Sequence, residues 1–111
     1  MLIDFEEIPR TAIENFRGGE KTTFARMYND ERNRIMKVTL EVGASIGLHT
    51  HDTSSEIVFI VSGKGRMITN GEPEELRAGM CSYCPKGSEH TLINVGEDEL
   101  ILFAVVPQHG G

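Results

Sequence analysis

At 111 residues with a formal net charge of −6, the chain has room for one domain, residues 1–111, and carries no lysine- or arginine-rich block with which to grip phosphates. Nucleic acid is therefore not an expected partner. With 39% hydrophobic and 25% charged residues the chain can bury a core, which excludes an intrinsically disordered protein.

In chain order, the first segment, MLIDFEEIPR, places Asp4, Glu6 and Glu7 where a secretion signal needs basic residues followed by an apolar core. No run reaches membrane-spanning length, so a cytoplasmic protein without membrane contact is expected. Residues 1–20 read as an N-terminal arm. Within it, residues 4–16 form a turn of helix or an irregular stretch, because Pro9 interrupts any long helix.

From residue 34 the dominant period is two. In RIMKVTLEVG the apolar residues Met36, Val38, Leu40 and Val42 alternate with Lys37, Thr39 and Glu41, which predicts a strand with one buried face, ended by Gly43. Downstream, EIVFIVSG is a continuous β-branched and aromatic run, and ELILFAVVP near the C-terminus is another; both read as strands covered on two faces. Asn70-Gly71, between GRMIT and EPEELRAG, is a hairpin signal because both central residues of a type I′ turn need positive φ. Short strands punctuated by such turns predict an all-β sandwich or barrel. No internal repeat or low-complexity linker is present, and the GKG at 63–65 lacks the third glycine and following helix of a dinucleotide fingerprint.

Cys81 and Cys84 stand in CSYCP, a spacing shared by redox pairs and half zinc sites. No second cysteine pair completes a zinc site, and on a strand positions 81 and 84 point to opposite faces. A structural role is expected of both.

Of four histidines, two lie one residue apart in GLHTHDTSSE. On a strand His49 and His51 share a face and can reach one ion, and Glu56, after the turn-forming DTSS, can return a carboxylate to the same point from the next strand. His90, after the Pro85-Lys86-Gly87 turn, can complete a set of three histidines and one glutamate. His109 is left over in a mobile tail, PQHGG.

These residues also carry a family resemblance. Gly43-x5-His49-x-His51-x4-Glu56-x6-Gly63 (residues 43–63) is similar to the first motif of the cupin superfamily, and Gly79-x5-Pro85-x-Gly87-x2-His90-x3-Asn94 (residues 79–94) is similar to the second. All ten fixed positions agree, and the fifteen residues between the motifs resemble the shortest spacing in that family. The four glycines and the proline alone would match by accident about once in 10⁶ alignments. The resemblance implies a cupin fold, a jelly-roll barrel of two antiparallel sheets, with His49, His51, Glu56 and His90 as ligands to a divalent transition metal (Mn, Fe, Ni or Zn).

Four protein ligands on an ion that accepts six leave two positions open, as in a catalytic rather than a closed structural site. Parity puts Val58 and Ile60 inside with Glu56, and Met36 and Val38 inside from the other strand, so an apolar pocket for a small molecule is expected. Arg26 and Tyr28, in FARMYND, are candidates to orient that ligand. No serine or cysteine nucleophile is seen paired with a spare histidine, which disfavours acyl transfer. The function expected is a small metal-dependent enzyme, of oxygenase, decarboxylase or isomerase type, acting on a small carboxylate, ketone or phenolic metabolite. The alternatives are a non-catalytic binding or sensing module and a scaffold or storage-like barrel. Ile57, Phe59 and Val61 need cover on the opposite face of their sheet, and a homodimer is expected to supply it.

Overall fold

Alternating apolar positions make strands that bury one face each, and ten such strands fold here into two antiparallel sheets packed face to face. The structure, a computed structural model, describes residues 1–109. In chain order the strands are β1 (Thr11–Glu14), β2 (Thr22–Asn29), β3 (Asn33–Leu40), β4 (Ser45–Thr50) and β5 (Glu56–Ser62). They continue with β6 (Lys64–Thr69), β7 (Glu72–Arg77), β8 (Cys81–Cys84), β9 (Glu89–Asn94) and β10 (Leu100–Pro107). One sheet has the order β1-β2-β3-β10-β5-β8 and the other β4-β9-β6-β7. This is the expected all-β, two-sheet architecture. No helix among the described residues is long and apolar enough to cross a membrane.

The core lies between the sheets. Val38 and Leu40 of β3, Val58 and Ile60 of β5, and Leu100, Leu102 and Ala104 of β10 meet Met67 of β6, Leu76 of β7 and Leu92 of β9 in one cluster. Each fully buried leucine or methionine of this kind contributes about 1.5–3 kcal/mol. Asn94 closes one end. Its buried amide donates to the carbonyls of Leu40, Glu41 and Asp98 at 3.0, 3.1 and 3.0 Å, and its carbonyl oxygen accepts from the Gly96 N–H at 3.0 Å.

The Asn70-Gly71 hairpin forms as read, with Thr69 paired to Glu72 and φ of 49° and 82° at the two turn residues. Other expectations need correction. Val42 lies beyond the end of β3 and is 44% exposed, because the chain turns at Gly43 before the alternation completes. β5 is covered on one face only: Val58 and Ile60 are buried, while Phe59 and Val61 are 48% and 45% exposed. Arm residues 4–16 hold a 3-10 turn at Phe5–Glu7 and then β1, which pairs with β2 from Thr11↔Ala25 to Glu14↔Thr22. A second 3-10 turn, Phe16–Gly18, follows and packs on β4.

Candidate metal centre

Three elements bring the four ligand candidates together. β4 and β9 pair with His49 opposite His90, so two imidazoles rise side by side from one sheet. His51 follows the end of β4, and the Ser88–Gly87 turn holds it: its N–H donates to the Ser88 carbonyl at 3.0 Å and its own carbonyl accepts from the Gly87 N–H at 2.6 Å. Glu56 opens β5 in the other sheet and reaches the same point from across the interior.

The result is a tight knot of ligand atoms. His90 Nε2 lies 2.7 Å from Glu56 Oε1, 3.1 Å from His51 Nε2 and 3.2 Å from His49 Nε2. Glu56 Oε1 is also 3.2 Å from His51 Nε2 and 4.0 Å from His49 Nε2. Donors each about 2.1 Å from one shared ion stand about 3 Å apart when adjacent and about 4.2 Å apart when opposite. The five spacings given lie near that range, and all four ligand atoms fall within 4.8 Å of one another, close enough to share one ion. An ion that accepts six ligands would, if held by these four, keep two positions for a ligand.

The outer nitrogens settle which ring atom faces inward. His49 Nδ1 donates to the Gly47 carbonyl at 2.8 Å, leaving its Nε2 lone pair for an ion, and His51 Nδ1 meets Ser54 Oγ at 3.0 Å. His90 Nδ1 is buried without a partner among the described residues, so a neutral ring places its proton on Nε2, facing Glu56, and Nε2 would have to give up that proton to serve as a metal ligand. Burial pulls the His49 pKa below its ordinary value, which keeps the imidazole neutral and able to ligate. Burial also disfavours the Glu56 carboxylate, but hydrogen bonds from His51 and His90, and their charge, outweigh it and hold the pKa at about 2. One carboxylate and three imidazole nitrogens facing a single point are a donor set for a divalent transition ion.

The knot opens on a cavity of about 230 Å³. Met36, Val38 and Val58 line it, as expected, together with Met27, Ile46 and Leu92. Ile60 is buried in the core beyond the lining. Arg26 and Tyr28 are not part of the lining either, since they have the opposite parity to Ala25 and Met27, which are. Arg26 instead donates to the arm carbonyls of Ile8 at 2.7 Å and Phe5 at 3.3 Å. The sequence reading missed five polar lining residues: Thr50 and Ser54 beside the ligands, Arg34, which continues the parity of Met36 and Val38, Gln108, which continues that of β10, and Arg17, whose place no periodicity announces.

Two further expectations are corrected. His109 is anchored: its Nε2 lies 2.8 Å from Ser55 Oγ and its N–H donates to the Thr53 carbonyl at 2.7 Å, while Gly110 and Gly111 lie outside the described residues. A serine is thus paired with the spare histidine, but Ser55 is 2% exposed and outside the cavity lining, so no acyl group has access to it. On β8, Cys81 is exposed and Cys84 buried, on opposite faces, and neither is bonded to the other. Burial and the facing Glu56 raise the Cys84 pKa to about 11, so it is an inert thiol.

Comparison with known proteins agrees with this geometry. The family model described as Cupin domain matches residues 36–106. An oxalate-binding protein of Thermotoga maritima is 30% identical over 112 residues, 96% of this chain and 93% of that protein. The crystal structure of a predicted oxalate decarboxylase from Thermotoga maritima superposes with a TM-score of 0.91 at 28% identity, covering 97% of this chain and 99% of that one. The cupin domain of Schizosaccharomyces pombe Cnp3 shares the fold at 12% identity and a TM-score of 0.80, over 97% of this chain and 74% of that one. Matched over most of its strands by the family model and carrying both motifs, the chain belongs to the cupin family.

Proposed function

We propose that this cupin holds a divalent transition metal through His49, His51, Glu56 and His90 and uses it to bind a small carboxylate. The observation that carries this reading is the knot of three Nε2 atoms and one carboxylate at the base of an otherwise mostly apolar cavity. When bound, the ion supplies Lewis acidity and a charge for an anionic head group. The protein does the rest: Gly47 and Ser54 fix two of the imidazoles, and Met27, Met36, Val38 and Val58 keep bulk water from the ligand's carbon frame. The oxalate-binding relative supports a carboxylate as the ligand class.

Metal-dependent turnover is the second reading, favoured by the apolar walls, which strengthen electrostatic interactions at the ion's open positions. Against it, Glu56 is the sole acid in the lining and is already a ligand, so a decarboxylation would lack a carboxyl to return the proton. Binding is therefore placed first. Calorimetry of the Mn-loaded protein against oxalate, acetate and a neutral diol tests it: carboxylates should bind and the diol should not, and equal binding to metal-free protein would contradict the proposal. Loss of oxalate with release of CO2 during the same incubation would move turnover ahead of binding.

We also propose a homodimer formed through the exposed residues Phe59, Val61 and Tyr83 on the outer face of β5 and β8. Both cysteines are free, which fits a reducing compartment, and the cytoplasm is the proposed location.

A further inference from the structure

Two arginines stand at the cavity mouth. Arg34 follows the inward parity of Met36 and Val38 on β3 and pairs with Val106 of β10. Across β10, Val105 pairs with Ile57, so Arg34 lies level with the Glu56 end of β5, two strand spacings or about 10 Å away between Cα atoms. Arg17 comes from the other side, in the 3-10 turn that packs on β4. There its backbone is left-handed, with φ 56° and ψ 29°, a conformation that a residue with a Cβ rarely keeps. The turn cannot relax, because the Arg17 carbonyl sits against Gly47, the residue that also orients His49. Strain held in place beside a binding site is a recurrent mark of function.

Both guanidinium groups are oriented but not neutralised. Arg34 Nε donates to Asn29 Oδ1 at 3.0 Å, and the Arg17 guanidinium lies 5.8 Å from the centroid of the Phe16 ring. Among the described residues neither has a carboxylate within ion-pairing distance. Both side chains are exposed and hold no acid of this chain's described residues, so two cations at the rim of one cavity are free to take an anion from outside.

Resting on the carboxylate reading above, we infer that Arg17 and Arg34 form a second anchor that makes the site selective for dianions: one carboxylate at the metal, the other between the two arginines. The ligand class is then a short dicarboxylate with a carbon spacer, since the spacer fits the apolar wall between the two anchors.

The test is calorimetry on metal-free wild type, Arg17→Gln, Arg17→Gly and Arg34→Gln, each titrated first with Mn and, once loaded, with malonate, succinate and glutarate beside the monocarboxylates of equal length. Each substitution should weaken the preferred dicarboxylate about tenfold or more and leave its monocarboxylate partner within about twofold. Arg17→Gly suits the left-handed backbone, so its thermal midpoint should equal or exceed that of wild type, separating lost binding from lost folding. Unchanged dicarboxylate affinity in the variants, or equal losses for mono- and dicarboxylates, would overturn the second anchor while the carboxylate reading stands. Failure of wild type to take up Mn or any carboxylate would overturn both.

Discussion

At the scale of single residues, Glu56 and His49 both make the fold less stable in acid, for different reasons and in different pH windows. Both pKa values lie below those of the unfolded chain, so at each site the unfolded state binds more protons and stability rises with pH. Glu56 stabilises fully above its ordinary value of 4.5, and that contribution is lost as pH falls toward about 2. His49, buried and preferring neutrality, costs stability as pH falls below 6.5. Urea midpoints of metal-free protein should therefore fall in both windows, and Glu56→Gln should flatten the lower one; an unchanged slope between pH 4.5 and 2 in that variant would contradict the assigned cause. The ligand candidates were legible because a metal site needs fixed residue types at fixed spacings, and four chelating side chains in motif order are hard to obtain otherwise. Arg26 and Tyr28 were misplaced because their choice rested on chemistry without parity, and one step along β2 turns a side chain from the cavity to the outer face. Arg17 could not be read at all, since its position depends on a turn with two left-handed residues, Asn15 and Arg17, that carry no glycine signal.

At the scale of elements, the close approach of the Phe16–Gly18 turn to β4 sets the geometry of the site. A Cβ on Gly47 would meet the Arg17 carbonyl oxygen at 2.1 Å, and one on Gly19 would meet that of Ser45 at 2.0 Å; in both cases the obstacle is backbone, which cannot step aside. Gly47→Ala is expected to cost about 1–3 kcal/mol in urea denaturation and to weaken metal binding, because the Gly47 carbonyl orients His49. Gly96→Ala, whose added Cβ would meet Lys64 at 3.4 Å, should cost less; equal costs would show that the contact at Gly47 is not tight. The strands were legible where alternation was clean, as in β3, and the Asn70-Gly71 turn was legible because positive φ at two successive positions has few sequence solutions. β1 was not. Its half-exposed pattern, with only Ile13 turned toward the core cluster, gives no period to detect.

At the scale of the whole molecule, β10 was read as covered on two faces, yet its buried residues, Leu100 to Val106, alternate with half-buried ones. A continuous apolar run reports that both faces avoid water without saying what covers them; the outer face of this sheet receives Phe5, whose ring lies 5.4 Å from that of Phe103. No such cover reaches Phe59 or Val61. Sedimentation at micromolar concentration should show a dimer that Phe59→Glu dissociates, and a wild-type monomer would remove the homodimer proposal without touching the site. The site itself depends on the whole fold, since its ligands come from both sheets and meet only when the sandwich closes. The most direct measurement is therefore the metal content of untagged protein, by element-resolved mass spectrometry, beside a His51→Ala, His90→Ala double variant. The account predicts close to one divalent transition ion per chain in wild type and loss of most of it in the double variant. A wild-type protein that stays metal-free after reconstitution, or a double variant that retains the ion, would contradict it.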